Sequence, residues 1–171
     1  MQGRVILYTG KGEGKTMSAF AHAIRAAGHG RKVAVIQFMK GRRDTGEFKF
    51  LEESENIRVY LCGADRFLIN DKNRDEHLRK VREGMKLAEE ILVGKECDLL
   101  ILDEALYAVK FDLMDKKELM SLLKKRGKTD IIITGREPSK EIKRMSDIIT
   151  KMQNVKHHYE EDNETIRGLD Y

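Results

Sequence analysis

The chain has 171 residues, and its 33 lysines and arginines against 29 aspartates and glutamates give a formal net charge of +4. This length predicts one domain, covering residues 1–171. A mild positive charge that is spread along the chain fits a small anionic ligand, and only 6% of the residues are aromatic, which argues against a nucleic-acid-binding surface. Neither a membrane-spanning apolar run nor a signal peptide is recognisable, and Cys62 and Cys97 are too far apart for a CxxC pair. We therefore expect a cytoplasmic protein with reduced thiols and no membrane contact.

Apolar runs of strand length alternate with segments whose apolar residues recur at helical spacing. The predicted strands cover residues 5–8, 33–38, 57–61, 98–104 and 130–134, with short final strands at 148–149 and around Val155. The predicted helices cover residues 17–27, 74–93 and 116–126, and a short helix follows Pro138. Strands that alternate with helices predict an α/β fold, with a mostly parallel sheet and helices on both faces.

The first predicted helix has one apolar stripe, which we expect to be buried: Ala19, Phe20, Ala23, Ile24 and Ala27. Residues 39–47, which follow the second strand, are polar with two glycines and predict a surface loop. For the basic side chains of that loop, a solvated position is favoured over a specific contact with an anion. These side chains are Lys40, Arg42 and Arg43.

Residues 9–16 form a glycine-rich turn between the first strand and the first helix, with Lys15 and Thr16 at its end. Glycines let several backbone N–H groups face one point, the helix start adds its positive dipole, lysine adds a charge and threonine a hydroxyl for Mg²⁺. The usual spacing puts glycine where this chain has Thr9. A plain glycine turn is the alternative, but the context favours a variant phosphate-binding loop and a P-loop (RecA-like) fold.

We predict that ATP is bound by this loop together with a later strand end. The predicted ATP-binding residues are Thr9, Gly10, Lys11, Gly12, Glu13, Gly14, Lys15, Thr16 and Arg136. Arg136 follows the strand predicted at residues 130–134, so it lies over the edge where parallel sheets bind ligands.

An apolar strand ends in Asp103 and Glu104. Mg²⁺ prefers oxygen ligands and commonly uses one or two carboxylates beside substrate phosphates, so Thr16, Asp103 and Glu104 are the predicted magnesium ligands. Two alternatives stay open, namely an acidic strand end that faces solvent and a carboxylate pair that holds a water for hydrolysis. The adjacent His157 and His158 point to opposite faces of an extended segment, which favours a structural role over a metal site.

Several segments in order along the chain resemble the ATP:corrinoid adenosyltransferase (cob(I)alamin adenosyltransferase) family in its P-loop form. The resemblance begins with residues 9–16, which match the family loop including its missing first glycine. Further matching segments are Arg25-Ala26-Ala27-Gly28-His29-Gly30, Val35-Ile36-Gln37-Phe38-Met39-Lys40-Gly41, Leu102-Asp103-Glu104-Ala105-Leu106-Tyr107, Ile133-Thr134-Gly135-Arg136, Val155-Lys156-His157-His158 and Gly168-Leu169-Asp170-Tyr171. A match that covers nearly the whole chain is far more specific than any one motif.

The resemblance implies transfer of the 5′-deoxyadenosyl group of ATP to the Co(I) of a reduced corrinoid, with release of triphosphate. Co(I) is then the nucleophile, and the protein holds the leaving group and aligns the reactants. Lys15 and Glu104 carry the catalytic roles by this resemblance, with ATP and the corrinoid as substrates and Mg²⁺ as cofactor. The resemblance also implies a homodimer and a reductase partner.

The corrinoid side is where the sequence departs from the family. Members often carry Gly-Phe-x-Trp after the third strand, whereas this chain has Gly63-Ala64-Asp65-Arg66-Phe67-Leu68 and no tryptophan. Phe67 is the predicted corrinoid contact. The alternative function is a RecA-like ATPase or switch module that acts on a protein partner, and its products would be ADP and phosphate in place of triphosphate.

Overall fold

The computed structural model describes residues 2–64, 73–156 and 166–169. The strands in these ranges are β1 Val5–Thr9, β2 Val33–Phe38, β3 Ile57–Cys62, β4 Leu99–Asp103, β5 Asp130–Thr134 and β6 Ile148–Lys151. The helices are α1 Lys15–Gly28, α2 Gly46–Glu52, α3 Arg74–Gly94, α4 Ala105–Lys110, α5 Lys116–Lys124 and α6 Lys140–Met145. None of these helices is both long and apolar enough to cross a membrane.

The six strands form one sheet in the order β3-β2-β4-β5-β1-β6, and every neighbouring pair is parallel. The predicted α/β class with a parallel sheet is therefore confirmed. Because all strands run the same way, their carboxyl ends lie at one edge. At this edge β5 lies between β1, which ends in the glycine-rich loop, and β4, which ends at Asp103.

Alternating strand residues supply two separate cores, one on each face of the sheet. Leu7, Ile36 and Leu102 belong to the core that also contains the buried residues of α3 to α6. Val35 and Ile101 point the other way, into the core formed with α1 and α2. Strands that are buried on both faces need continuous apolar runs, which is why the strand positions could be predicted from the sequence.

The structure also corrects the predictions at four places. The helix α2 begins inside the stretch predicted as a loop, and α4, with six residues, is too short to show a helical period. Val155 is fully exposed and lies outside any strand, whereas residues 148–149 do lie in β6. Ile24, predicted as buried, leaves 47% of its surface exposed. Each error concerns a short element or the margin of an apolar stripe.

Candidate active site

The glycine-rich loop connects β1 to α1. Gly10 and Gly14 adopt φ values of 107° and 94°, which a residue with a Cβ atom reaches only under strain, and Gly14 is the N-cap of α1. Lys15 and Thr16 therefore lie in the first helical turn, where the backbone N–H groups have no partner within the helix. The N-terminus of a helix in this geometry is suited to an anion.

The chain beyond β6 holds the loop from outside. The N–H of Met152 donates to the Thr9 carbonyl at 2.7 Å, and the N–H of Gly12 donates to the Met152 carbonyl at 3.0 Å. The N–H of Glu13 donates to Asn154 Oδ1 at 2.9 Å. A Cβ on Gly10 would lie 2.1 Å from the Met152 carbonyl oxygen, so the loop tolerates only glycine there. Two of the loop's N–H groups are thus bonded to this segment, which leaves the start of α1 as the anion-facing part.

The side chain of Lys15 folds back over its own loop. Its Nζ donates to the Gly12 carbonyl at 2.5 Å, and the residue is buried. Burial lowers the pKa of Lys15, and the carboxylates of Glu104 and Asp103 oppose that change. The ammonium group is therefore held near the helix N-terminus by the Gly12 carbonyl, which an incoming anion would replace.

Asp103 is fully buried at the end of β4, and four donors satisfy its two carboxylate oxygens. Oδ1 accepts hydrogen bonds from the hydroxyls of Thr16 at 2.9 Å and Thr134 at 2.7 Å. Oδ2 accepts from Gln37 Nε2 at 3.1 Å and from Lys40 Nζ at 2.9 Å. Burial by itself would raise the pKa of Asp103, but the charge of Lys40 and the hydrogen bonds from Thr134, Lys40 and Gln37 hold it below its ordinary value.

Glu104 contrasts with its neighbour. It adopts a φ of 57°, and its backbone N–H donates to Thr134 Oγ1 at 2.8 Å. Its Oε2 is buried and has no hydrogen-bond partner among the described residues, and burial together with the charge of Asp103 raises the pKa of Glu104. A strained backbone and an unpaired buried oxygen together are typical of a ligand-binding position.

The prediction that Lys40 is solvated is wrong. Its side chain is 34% exposed and makes an ion pair with Asp103, and its Nζ lies 3.3 Å from Thr16 Oγ1. Arg42 and Arg43 do lie on the surface, where they pair with Asp44 and Glu52. The loop therefore contains one basic residue that belongs to the site and two that do not.

Arg136 lies beside this cluster, as predicted from its place after β5. Its guanidinium lies over the ring of Tyr107 at 5.6 Å, and within the described part of the chain its buried Nε has no hydrogen-bond partner. The charge of Arg136 is close enough to lower the pKa of both Glu104 and Lys15. The guanidinium is thus oriented by the aromatic ring and available to an anion.

A cavity of about 470 Å³ opens at the same edge. Its polar end is lined by Lys15, Thr16, Lys40 and Glu104. Its apolar part lies between α1 and α2 and is lined by Met17, Phe20, Ile24, Phe50, Leu51 and Leu169. Glu13 and Glu47 also line the polar end, so lysines and carboxylates lie there together. A cavity with one charged end and one apolar end fits a ligand that carries its anionic part with a divalent cation and also has an apolar part.

Comparison with known proteins identifies the family. The family model described as ATP:corrinoid adenosyltransferase BtuR/CobO/CobP matches residues 1–171. The chain belongs to this family. It is similar to the corrinoid adenosyltransferase of Escherichia coli (strain K12), with 34% identity over 99% of this chain and 86% of that protein. It is 33% identical to corrinoid adenosyltransferase CobA of Salmonella typhimurium and 28% identical to the Pseudomonas aeruginosa protein, each over 99% of this chain, and it covers 86% and 84% of those proteins.

Membership confirms the resemblance to this family. The structure brings five of the predicted site residues together. Lys15, Thr16, Asp103, Glu104 and Arg136 meet at one sheet edge. Lys11 and Glu13 are exposed on the loop. Phe67, His157 and His158 lie outside the described residues.

Sequence reasoning gave no role to Gln37, Thr134 or Asn154, although each supports the site. A signal was present for two of them. Gln37 is the single polar residue of β2, Thr134 follows three isoleucines in β5, and both are almost fully buried. A buried polar side chain in a central strand needs a partner, which here is Asp103. Asn154 follows the exposed strand β6, and no pattern in the neighbouring sequence predicts its contact with the loop.

Proposed function

We propose that ATP binds with its triphosphate at the start of α1, and that the 5′-deoxyadenosyl group is transferred there to the Co(I) of a reduced corrinoid. The observation that carries this proposal is that Lys15 and Thr16 line one end of a cavity whose other end is apolar, while Thr16 is bonded to the buried Asp103 directly behind it. Triphosphate is the leaving group. The new bond joins the C5′ carbon to cobalt, and the electron pair comes from Co(I).

The triphosphate is stabilised by three kinds of group. The N–H groups of the first turn of α1 and its dipole face the anion, and Lys15 adds a charge once it leaves the Gly12 carbonyl. Arg136, held over Tyr107 and close to Lys15 and Glu104, supplies a planar donor set. Charge on the leaving group is thereby neutralised without a general acid.

The residues at this edge fit Mg²⁺. The fit rests on the unpaired buried Oε2 of Glu104, on the oxygens of Asp103 and on the Thr16 hydroxyl, which together are a hard oxygen donor set. These three residues would hold the ion next to the phosphates. When bound, Mg²⁺ would screen the negative charge of the polyphosphate. No group of three or more His, Cys, Asp or Glu residues with metal-binding geometry exists among the described residues, so substrate oxygens and water would complete the coordination.

The apolar part of the cavity is the proposed place for the adenosine portion. Met17, Ile24 and Phe50 leave 58%, 47% and 64% of their surfaces exposed there, which is unusual for apolar side chains so close to a charged cluster. Contact of Phe67 with the corrinoid, assembly as a homodimer and a reductase partner are proposals from family membership alone.

The competing function is an ATPase that acts on a protein partner, with Glu104 activating a water. Its specific support is the same unpaired carboxylate oxygen. The two functions differ in the bond that breaks, because hydrolysis cleaves a phosphorus–oxygen bond and adenosyl transfer cleaves the C5′–oxygen bond.

The deciding experiment incubates the protein with ATP, MgCl₂ and chemically reduced cobalamin, and follows the visible spectrum and the phosphorus products. We expect a cobalt–carbon bond and one triphosphate per turnover. ADP and orthophosphate without alkylated cobalamin would refute adenosyl transfer and favour the ATPase.

A further inference from the structure

The backbone around Lys40 is fixed more tightly than a surface loop requires. Met39, directly after β2, has a φ of 62°, which is rare for a residue with a side chain. A Cβ on Gly63 would lie 2.2 Å from the Lys40 backbone nitrogen, so the end of β3 packs directly against this peptide. The start of the Lys40 side chain is therefore set by two neighbouring strand ends.

The ammonium group of Lys40 lies where the proposed magnesium ligands converge. Nζ is 2.9 Å from Asp103 Oδ2 and 3.3 Å from Thr16 Oγ1. These two oxygens come from β4 and α1, elements that are far apart in the sequence. A cation between them keeps the Asp103 carboxylate, which is fully buried, from lying uncompensated in the protein interior.

The side chain is also able to leave. It is 34% exposed, its stem lines the 470 Å³ cavity, and lysine has a long flexible chain that carries a point charge. Gln37 and Thr134, in contrast, bond Asp103 from within the sheet, where both are almost fully buried and have no open path to solvent. Of the four donors to Asp103, Lys40 is the one that a second cation would displace.

We propose that Lys40 is a positioning residue that serves as the resident cation of the site. It holds Asp103 and Thr16 together before Mg²⁺ binds, and the divalent ion displaces its ammonium group when the nucleotide binds. This inference rests on the proposed function, because it requires a magnesium–nucleotide site at this edge. Lys40 thereby sets the Mg²⁺ concentration that the protein needs.

The test is a titration of MgCl₂ at a fixed ATP concentration, read as the thermal shift of wild type, Lys40→Met, Lys40→Arg and Arg43→Gln. In EDTA, Lys40→Met melts at a lower temperature than wild type, because Asp103 has lost its ion-pair partner. Because no ammonium group competes with Mg²⁺, this variant needs about tenfold less Mg²⁺ to reach half of its maximal thermal shift. Lys40→Arg retains the charge and keeps the wild-type midpoint. Arg43→Gln, from the surface of the same loop, is the matched control and behaves as wild type.

An unchanged or higher Mg²⁺ midpoint in Lys40→Met would overturn the inference. If the ion pair were only structural, its loss would lower the melting temperature and leave the Mg²⁺ midpoint as in wild type. If Lys40→Met does not fold, Lys40→Gln replaces it, since the amide retains a donor for Asp103 and removes the charge. Absence of any Mg²⁺- and ATP-dependent shift in the wild type would refute the proposed site itself, and so the two failures are distinguishable.

Discussion

Aspartates lie at both ends of the parallel strands, at the amino edge where the strands begin and at the carboxyl edge where they end, but their contacts differ. At the amino edge, Asp98, Asp130 and Asp147 accept hydrogen bonds from the backbone N–H groups of neighbouring strands at 2.7 to 2.9 Å. Arg31 also pairs with Asp130, and both side chains are partly exposed. At the carboxyl edge, Asp103 is fully buried among side-chain donors, and Glu104 keeps an unpaired buried oxygen.

The difference shows what separates a structural acid from a functional one. A carboxylate that accepts from backbone N–H groups ties strands together and is satisfied without a ligand. Glu104, in contrast, is buried beside another acid, its pKa is raised, and one of its oxygens has no hydrogen-bond partner in the part of the chain that the structure describes, so a bound cation would stabilise it. Direction along the parallel strands decides which edge has which role, since ligands bind at the carboxyl ends. The comparison therefore predicts that substitutions at one edge change activity and those at the other change stability.

The largest expected effect is that of Lys15→Ala. Loss of the ammonium group removes a charge that faces the triphosphate in the proposed complex, so we expect adenosyl transfer to fall by roughly 10²- to 10³-fold or more. Lys32→Ala, at the amino edge, is the control and should keep full activity. The measurement is the rate of spectral change of reduced cobalamin with ATP and MgCl₂. Equal losses in both variants would contradict the distinction between the edges.

Glu104→Gln should separate activity from stability. Transfer falls roughly 10- to 100-fold because a proposed metal ligand is weakened, as measured by initial rates over a range of MgCl₂ concentrations. Stability rises at neutral pH, since the variant no longer places two carboxylates side by side in a buried position.

The stability that Glu104→Gln gains over wild type should increase with pH. The pKa of Glu104 in the folded protein is raised above the ordinary value of 4.5, mainly by burial. The folded state therefore binds the proton more tightly than the unfolded state, and wild type loses stability as the pH rises from 4.5 to the folded pKa. The melting temperatures of wild type and Glu104→Gln should agree at low pH and diverge above it. A constant difference across this range would show that Glu104 is not strained.

Asn154→Ala tests the segment that holds the loop from outside. The substitution removes the acceptor for the Glu13 N–H and leaves that exposed group to water. We expect the KM for ATP to rise about threefold to tenfold, as a bond of about 1 kcal/mol predicts, with little change in melting temperature. Gln153→Ala, one residue earlier, should leave KM unchanged. A loss of stability without any change in KM would show that the segment supports the fold and not the loop.

Asp130→Ala should have the smallest effect on the reaction. It removes an acceptor for the Arg4 N–H and a partly exposed ion pair with Arg31, which together contribute about 1 kcal/mol. Urea unfolding should show that loss, and the rate of adenosyl transfer should stay at the wild-type value. Impaired transfer in a folded Asp130→Ala variant would break the contrast between the two edges.

The sequence alone predicted the parts of the site that are local in the chain. The strand, glycine-rich turn and helix of residues 5–28 form one contiguous pattern, and Asp103 and Glu104 end an apolar run. Buried strands need apolar residues throughout, and a phosphate-binding turn needs glycines at fixed spacing, so both patterns can be recognised in the sequence. The parallel sheet followed from the alternation of these elements, and the family from their order along the chain.

Tertiary structure alone decided which distant side chains complete the site. The contact of Lys40 with Asp103 spans 63 residues, and that of Asn154 with Glu13 spans 141, and in neither case does a local pattern reveal it. Such contacts depend on strand order, because β2 and β6 bring their ends to the loop only after the sheet has assembled as β3-β2-β4-β5-β1-β6. A lysine in a polar loop looks the same in sequence whether its side chain reaches water or a buried carboxylate. The sheet order makes that choice, since it places the end of β2 beside the end of β4.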